Sequence, residues 1–451
     1  FVTAKADEGM WTLYNLPQAV YQQMQAEGFK LPYADIYQSK DAVKNAVVNF
    51  SGYCSGVVVS PNGLVFTNHH CGFEAIRRHS TVEHDYMLNG FYAKTYEEEL
   101  PNRDMFVSFM KSQQDVTSRL MANGYATASK RQKDFLIDSL QTVLTDSVRK
   151  VDKTLRVSID PFSESNSFYA TVYQDFTDLR LVFTVPKSMG KFGGETDNWM
   201  WPRQTCDFSV FRVYADPKTN RPAPYSKDNV PYKPKRWARV SLQGYNDGDF
   251  AMTMGYPGST SRYLSSYGIR EMRDAQNTPR AQVRGVKQEV MTRHMRADEA
   301  VRIKYDSKFA QSANYWKNSI GMNRGLANLD VIARKKAEEA AFAAWVAQSP
   351  ERQARYGDVL KLLEKGYTQS DKYTNMATYL SEAFIGGTEI VRLARMINSI
   401  DVEKSTPKEI DEWINGSLRD FYKDYEPDLD RQVLPVMLRV VKERVPAEYL
   451  P

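Results

Sequence analysis

Five histidines and three cysteines in 451 residues are few enough to be weighed one at a time. Two of the histidines and one cysteine are consecutive, in Thr67-Asn68-His69-His70-Cys71. Imidazole titrates near neutrality, so a histidine held at the end of a rigid element is the natural general base. A base of this kind works best beside a carboxylate, which orients the ring and stabilises its protonated form. Asp207, which opens the apolar run 208–214, is placed for that role. Asp197 is its rival, but it lies in the glycine-rich polar stretch 190–197 and is expected to organise that loop. A zinc reading would use His69, His70, Cys71 and His84. Adjacent histidines in an extended segment point to opposite faces, and His79 to His84 is one residue off the spacing that sets zinc ligands on one helical face. No metal and no cofactor are therefore expected. The Gly190-Lys191-Phe192-Gly193-Gly194 loop lacks the Gly-Lys-Ser/Thr ending that would hold a nucleotide.

The elements that must position these groups change character along the chain. Up to about residue 264 the pattern is β-rich. Runs at 47–50 and 56–60, the turn Pro61-Asn62-Gly63 and the run 64–67 read as strands around a hairpin, with further strands at 167–173, 179–185, 208–214 and 250–254. Between them, residues 112–152 read as a helical insertion, with Leu120, Phe135, Leu136, Leu140 and Val143 as its apolar positions. From residue 265 to 451 long helical patterns take over, and only 8 of the 24 glycines lie beyond Gly268. Leu326, Leu329, Ala333, Ala337, Ala340 and Ala344 are spaced to form one stripe on one helix. The fold class is α+β, a β domain over 1–264 followed by a largely helical domain over 265–451.

Composition narrows the function classes. The 60 basic and 55 acidic residues are interleaved, so the net charge of +5 provides no patch for nucleic acid. No apolar run is long enough for a membrane span. Three cysteines, Cys54, Cys71 and Cys206, are too few for a disulfide scaffold but permit one bridge and one free thiol. Aromatic residues reach 12%, led by 27 tyrosines, with Trp199 and Trp201 set in one turn. Ala4-Lys5-Ala6 fits the small-x-small pattern behind which signal peptidase cuts, an expectation of export to the periplasm or cell surface.

Three motifs in order, Thr67–Cys71, Gly190–Arg203 (GKFGGETDNWMWPR) and Gly255–Tyr263 (GYPGSTSRY), resemble the exported bacterial dipeptidyl peptidases of the serine class. The segments 7–11 and 314–323 fit the same family. The resemblance implies a chymotrypsin-like β-barrel, the first half of a double barrel, with a helical lid domain. It implies a Cys54–Cys71 bridge across the histidine hairpin, His70 as general base and Asp207 as its orienting partner. It further implies that Asn198, Trp199 and Arg203, with Asn314 from the helical part, bind the substrate's free α-amino group. An ammonium needs acceptors such as amide oxygens, and an aromatic wall limits depth. The partners implied are oligopeptides with a free N-terminus and a second copy in a homodimer. Two positions depart from the family pattern: Cys206 replaces the usual glycine before the aspartate, and Gln204 replaces a common histidine.

The family's serine lies after the helical domain in a G-N-S-G-S-P context, and no such segment occurs in the sequence. Ser259, in GYPGSTS, has neither Gly-x-Ser-x-Gly surroundings nor the right place in the His, Asp, Ser order. The expectation is the N-terminal part of a longer serine peptidase, inactive alone. Its side-chain preference, set in the other part, leans to hydrophobic on resemblance; a non-catalytic peptide-binding module is the alternative.

Overall fold

The computed structural model describes residues 10–450, apart from residues 82, 164, 195, 201, 259, 260, 262 and 401–404 and the side chain of residue 303. Ala4-Lys5-Ala6, Trp201 and Ser259 therefore lie outside the described residues. The chain divides into two compact units: residues 1–192 with 204–260, and residues 193–203 with 261–451.

The first unit is built on one antiparallel sheet of eleven strands among the described residues. These are β1 Val47–Phe50, β2 Cys54–Val58, β3 Leu64–Thr67, β4 Phe91–Tyr92, β5 Leu100–Pro101, β6 Val107–Asp115, β7 Leu155–Phe162, β8 Ser167–Phe176, β9 Leu179–Thr184, β10 Ser209–Ala215 and β11 Val230–Pro231. Their order is β4-β9-β10-β3-β2-β1-β6-β8-β7, with β11 beside β10 and β5 beside β9. Strand alternation puts Val48, Phe50, Val65, Leu181, Phe211 and Val213 into one core. The helix His69–His79 closes that core with Cys71, Ala75 and Ile76. The insertion folds as helices Thr117–Ala122 and Lys130–Arg149 over β7 and β8, with Leu136, Ile137, Leu140 and Leu144 packed inward. Phe135 and Val143, expected among its apolar positions, are exposed instead. They lie off the stripe because Ile137 and Leu144 complete the 3.6-residue period.

Residues 250–254, expected as a strand, pair with nothing in the sheet. Phe250 packs tilted against Phe29 at 5.1 Å and the Tyr256 amide donates to Ser55 Oγ at 2.6 Å, so local anchors replace a ladder.

The second unit is helical, with its core where Thr278–Ala297, Glu299–Asn328, Val359–Leu380 and Pro427–Arg444 meet through Val283, Met291, Tyr305, Tyr379, Val433 and Met437. The single stripe expected over 326–344 is broken. Asp330 takes the left-handed conformation at φ 44°, ending one helix and starting Val331–Ala347 in a new phase. Leu329, Ala333, Ala337, Ala340 and Ala344 face solvent, while Ile332, Phe342 and Val346 turn inward. Alanines bury little area, so the larger side chains decide the phase. Among the described residues no helix is long and apolar enough to cross a membrane.

Candidate active site

The end of β3 runs straight into a helix, which corrects the sequence reading of an extended His-His pair. His69 and His70 are the first two residues of the helix His69–His79, after Asn68. An asparagine before a segment that ends Arg77-Arg78-His79 is a helix-start and helix-stop signature, so the sequence does carry a signal for it. Successive helical residues diverge by about 100°, which separates the two rings. His69 is 1% exposed, and His70's side chain is 67% exposed.

Asp207, just before β10, lies 137 residues downstream of His70 and reaches it twice. Its Oδ2 sits 2.7 Å from His70 Nδ1, and its Oδ1 accepts the His70 backbone N–H at 3.0 Å. Asn68 Nδ2 donates to Asp207 Oδ2 at 3.3 Å, and Ser209 Oγ donates to the Asn68 carbonyl at 2.9 Å. β3 and β10 are paired neighbours, with Thr67 opposite Ser209, so the ladder itself fixes this register. Asp207 thus caps the helix from a segment distant in sequence, because Asn68 makes no side-chain cap of its own. No local sequence signal marks this second role.

Burial works to raise the Asp207 pKa, but hydrogen bonds from the His70 ring and backbone, with the charges of both histidines, outweigh it and hold it below the ordinary carboxylate value. The positive end of the helix favours the same anion. A carboxylate on Nδ1 leaves Nε2 as the free, basic nitrogen of His70. Among the described residues no serine hydroxyl is hydrogen-bonded to that nitrogen.

His69 serves differently. Burial pushes its pKa below the ordinary histidine value. Its ring lies against the Gly190 backbone and edge-on to Phe73 at 6.1 Å. A Cβ added at Gly190 would fall 2.5 Å from His69 Cγ, so only glycine fits there. This packing gives one physical reason for the first glycine of the GKFGG loop.

Cys54 and Cys71 form a disulfide with Cα atoms 6.2 Å apart, tying β2 to the helix residue next to His70. Tyr53 Oη also donates to the Cys71 carbonyl at 2.9 Å. The four residues of the zinc reading do not converge: His70 is on Asp207, and His84 stacks on Tyr86. Cys54, His70 and Cys71 do come within 4.8 Å of one another. Their two sulfurs are bonded to each other, so no thiolate is offered to an ion. Cys206 is free and half-buried, its amide bonded to the Met189 carbonyl.

In the second unit, the four residues expected at the amine site form one hydrogen-bonded group. Asn198 Nδ2 and Trp199 Nε1 both donate to Asn314 Oδ1, at 3.1 and 2.9 Å, and Arg203 donates to Asn198 Oδ1 at 3.3 Å. Asn198 Oδ1 keeps a second lone pair, and Trp199 beside it is 53% exposed. Asp197 closes its loop through its own backbone, its amide to the Gly193 carbonyl and its carbonyl to the Met200 amide.

The Peptidase S46 model matches residues 6–451. The chain belongs to the Peptidase S46 family. Among S46 relatives, the dipeptidyl-peptidase 7 of Porphyromonas gingivalis is 49% identical over 99% of this chain and 62% of its own length. The Asp/Glu-specific dipeptidyl-peptidase of Flavobacterium psychrophilum is 38% identical over 98% of this chain and 63% of its own length. The fold is that of Porphyromonas endodontalis DPP11, solved in complex with the dipeptide Arg-Glu: TM-score 0.83, 34% identity, covering 99% of this chain and 65% of that one. The chain thus spans a little under two thirds of the length of these S46 peptidases.

Proposed function

We propose that this S46 chain carries the general base, its orienting carboxylate and the amine-binding group of a serine-type dipeptidyl peptidase, which removes dipeptides from free peptide N-termini. One observation carries the reading: the 2.7 Å contact of His70 Nδ1 with an Asp207 carboxylate that also holds the His70 amide. Relatives named as dipeptidyl peptidases support the activity.

The mechanism is acyl transfer. His70 Nε2 takes the proton of a serine hydroxyl contributed by sequence this chain does not contain, as that oxygen attacks the second peptide carbonyl. The imidazolium, stabilised by Asp207, returns the proton to the departing amine. Water then attacks the acyl-serine, His70 again serving as base, and the dipeptide leaves. Asn198 Oδ1 accepts from the substrate's ammonium beside the Trp199 indole, and Asn314 and Arg203 orient the Asn198 amide, a recognition that demands a free N-terminus. On this reading the chain alone does not hydrolyse peptides.

The same reading makes the sheet unit, residues 1–192 with 204–260 and including its helical insertion, the first barrel of a chymotrypsin-like pair. On this reading the enzyme is an exported homodimer. A hydrophobic preference at the penultimate residue is favoured by the higher identity to dipeptidyl-peptidase 7.

The test uses the full-length protein. A dipeptide-coumarin with a free amine should be cleaved and its N-acetylated form should not. Equal rates on both would remove the amine anchor, and no cleavage of either would favour a non-catalytic binding module.

A further inference from the structure

We infer that Gly321 is a positioning residue for the amine-binding turn, an inference that rests on the reading of Asn198, Trp199 and Asn314 as the ammonium site. Gly321 sits inside the helix Glu299–Asn328, two turns past Asn314 and so on the same stripe. Glycine weakens a helix interior relative to alanine, so its presence calls for a reason. The reason is contact. A Cβ built on Gly321 would stand 3.0 Å from the Trp199 carbonyl oxygen and 3.5 Å from Trp199 Cβ.

Trp199 itself is held in the left-handed region at φ 59°, uncommon for so bulky a residue. The conformation persists because the turn is pinned at both ends. Its carbonyl rests on the bare backbone at Gly321, and its indole Nε1 donates 2.9 Å to Asn314 Oδ1. The same Asn314 oxygen receives Asn198 Nδ2, which leaves Asn198 Oδ1 directed by Arg203 alone. A side chain at 321 would push the turn a few tenths of an ångström away from the helix and lengthen both bonds to Asn314. A Cβ placed on Gly325, one turn further on, would meet nothing within 4 Å among the described residues, so that glycine supplies an internal control.

The test is steady-state kinetics of the full-length enzyme on a dipeptide-coumarin with a free amine, with thermal melting of each variant. Gly321→Ala should raise KM roughly tenfold, the scale of one weakened charge-assisted hydrogen bond, with kcat within about twofold of wild type. Its Tm should not fall, since alanine is the better helix former. Gly325→Ala should leave KM unchanged. Trp199→Gly, which keeps the left-handed turn but removes the indole, should raise KM by itself, and Gly321→Ala should add less in that background than in wild type, since one of the two bonds it loosens is already gone. If Trp199→Gly raises KM while Gly321→Ala does not, the positioning role is overturned and the amine site stands. An equal additional rise from Gly321→Ala in the Trp199→Gly background overturns it too. An unchanged KM in Trp199→Gly removes the amine site, and the positioning role with it. A lowered Tm with collapsed kcat in Gly321→Ala would make the glycine a folding residue and reject the inference.

Discussion

Replacing Cys54 and Cys71 together by alanine should lower the stability of the first unit by about 3 kcal/mol, and the figure can be worked from the loop they close. The bridge spans 17 positions of sequence, and closing a loop of about that length removes roughly 3 kcal/mol of unfolded-chain entropy at 25 °C. Alanine keeps the buried Cys71 site apolar, so no new polar group is stranded in the core. For a domain of 150–250 residues each kcal/mol moves the midpoint by about 2–4 °C, so Tm should fall by about 6–12 °C. The assay is calorimetry under non-reducing conditions. Wild-type protein treated with reductant should melt with the double variant. Thiol counting on unfolded, non-reduced wild type should find one free cysteine, Cys206. The effect on chemistry should be smaller than on stability, because Asp207 and the β3–β10 ladder hold His70 independently of the bridge. A double variant that melts with wild type, or three titratable thiols, would refute the reasoning.

Three further outcomes follow from the site. Asp207→Asn should cut kcat of the full-length enzyme by about 10³–10⁴-fold through loss of the imidazole's oriented tautomer, while a kcat within tenfold of wild type would assign the orienting role elsewhere. The native pKa of Asp207 is depressed, so its contribution to stability is present above the ordinary value of 3.8 and is lost as pH falls through the lower native value. Urea midpoints of wild type and Asp207→Asn should therefore converge under strongly acidic conditions; a constant gap at every pH would contradict the linkage. Gly190→Ala places a Cβ against the buried His69 ring and should cost about 1–3 kcal/mol in urea unfolding, an estimate that fails if the variant is as stable as wild type.

Much of this site is written locally, and the part that is not has a common cause. β1 and β3 occupy the residues their alternation marks, and the pairing of Cys54 with Cys71 and of His70 with Asp207 follows motifs carried by neighbouring residues. The helix at His69 is hidden because a strand pattern leads into it, and its cap comes from Asp207, far off in sequence. The role of Gly190 depends on which histidine is buried, which only the helical phase decides. The stripe over 326–344 fails for the same reason: one left-handed residue, Asp330, resets the phase, and no periodicity sum registers it. Residues 193–203 belong with the helical unit because their side chains bond to Asn314, more than a hundred positions away.

The two adjacent histidines allow the most direct test of the general-base reading, since they share a turn and differ only in what they face. Turnover of a free-amine dipeptide-coumarin by the full-length enzyme should be compared for His70→Ala and His69→Ala. The expected result is a loss of at least about 10³-fold in kcat for His70→Ala, the scale of a missing general base in a cooperating triad, against a partial loss for His69→Ala. Retained turnover in His70→Ala together with abolished turnover in His69→Ala would contradict the assignment of the base.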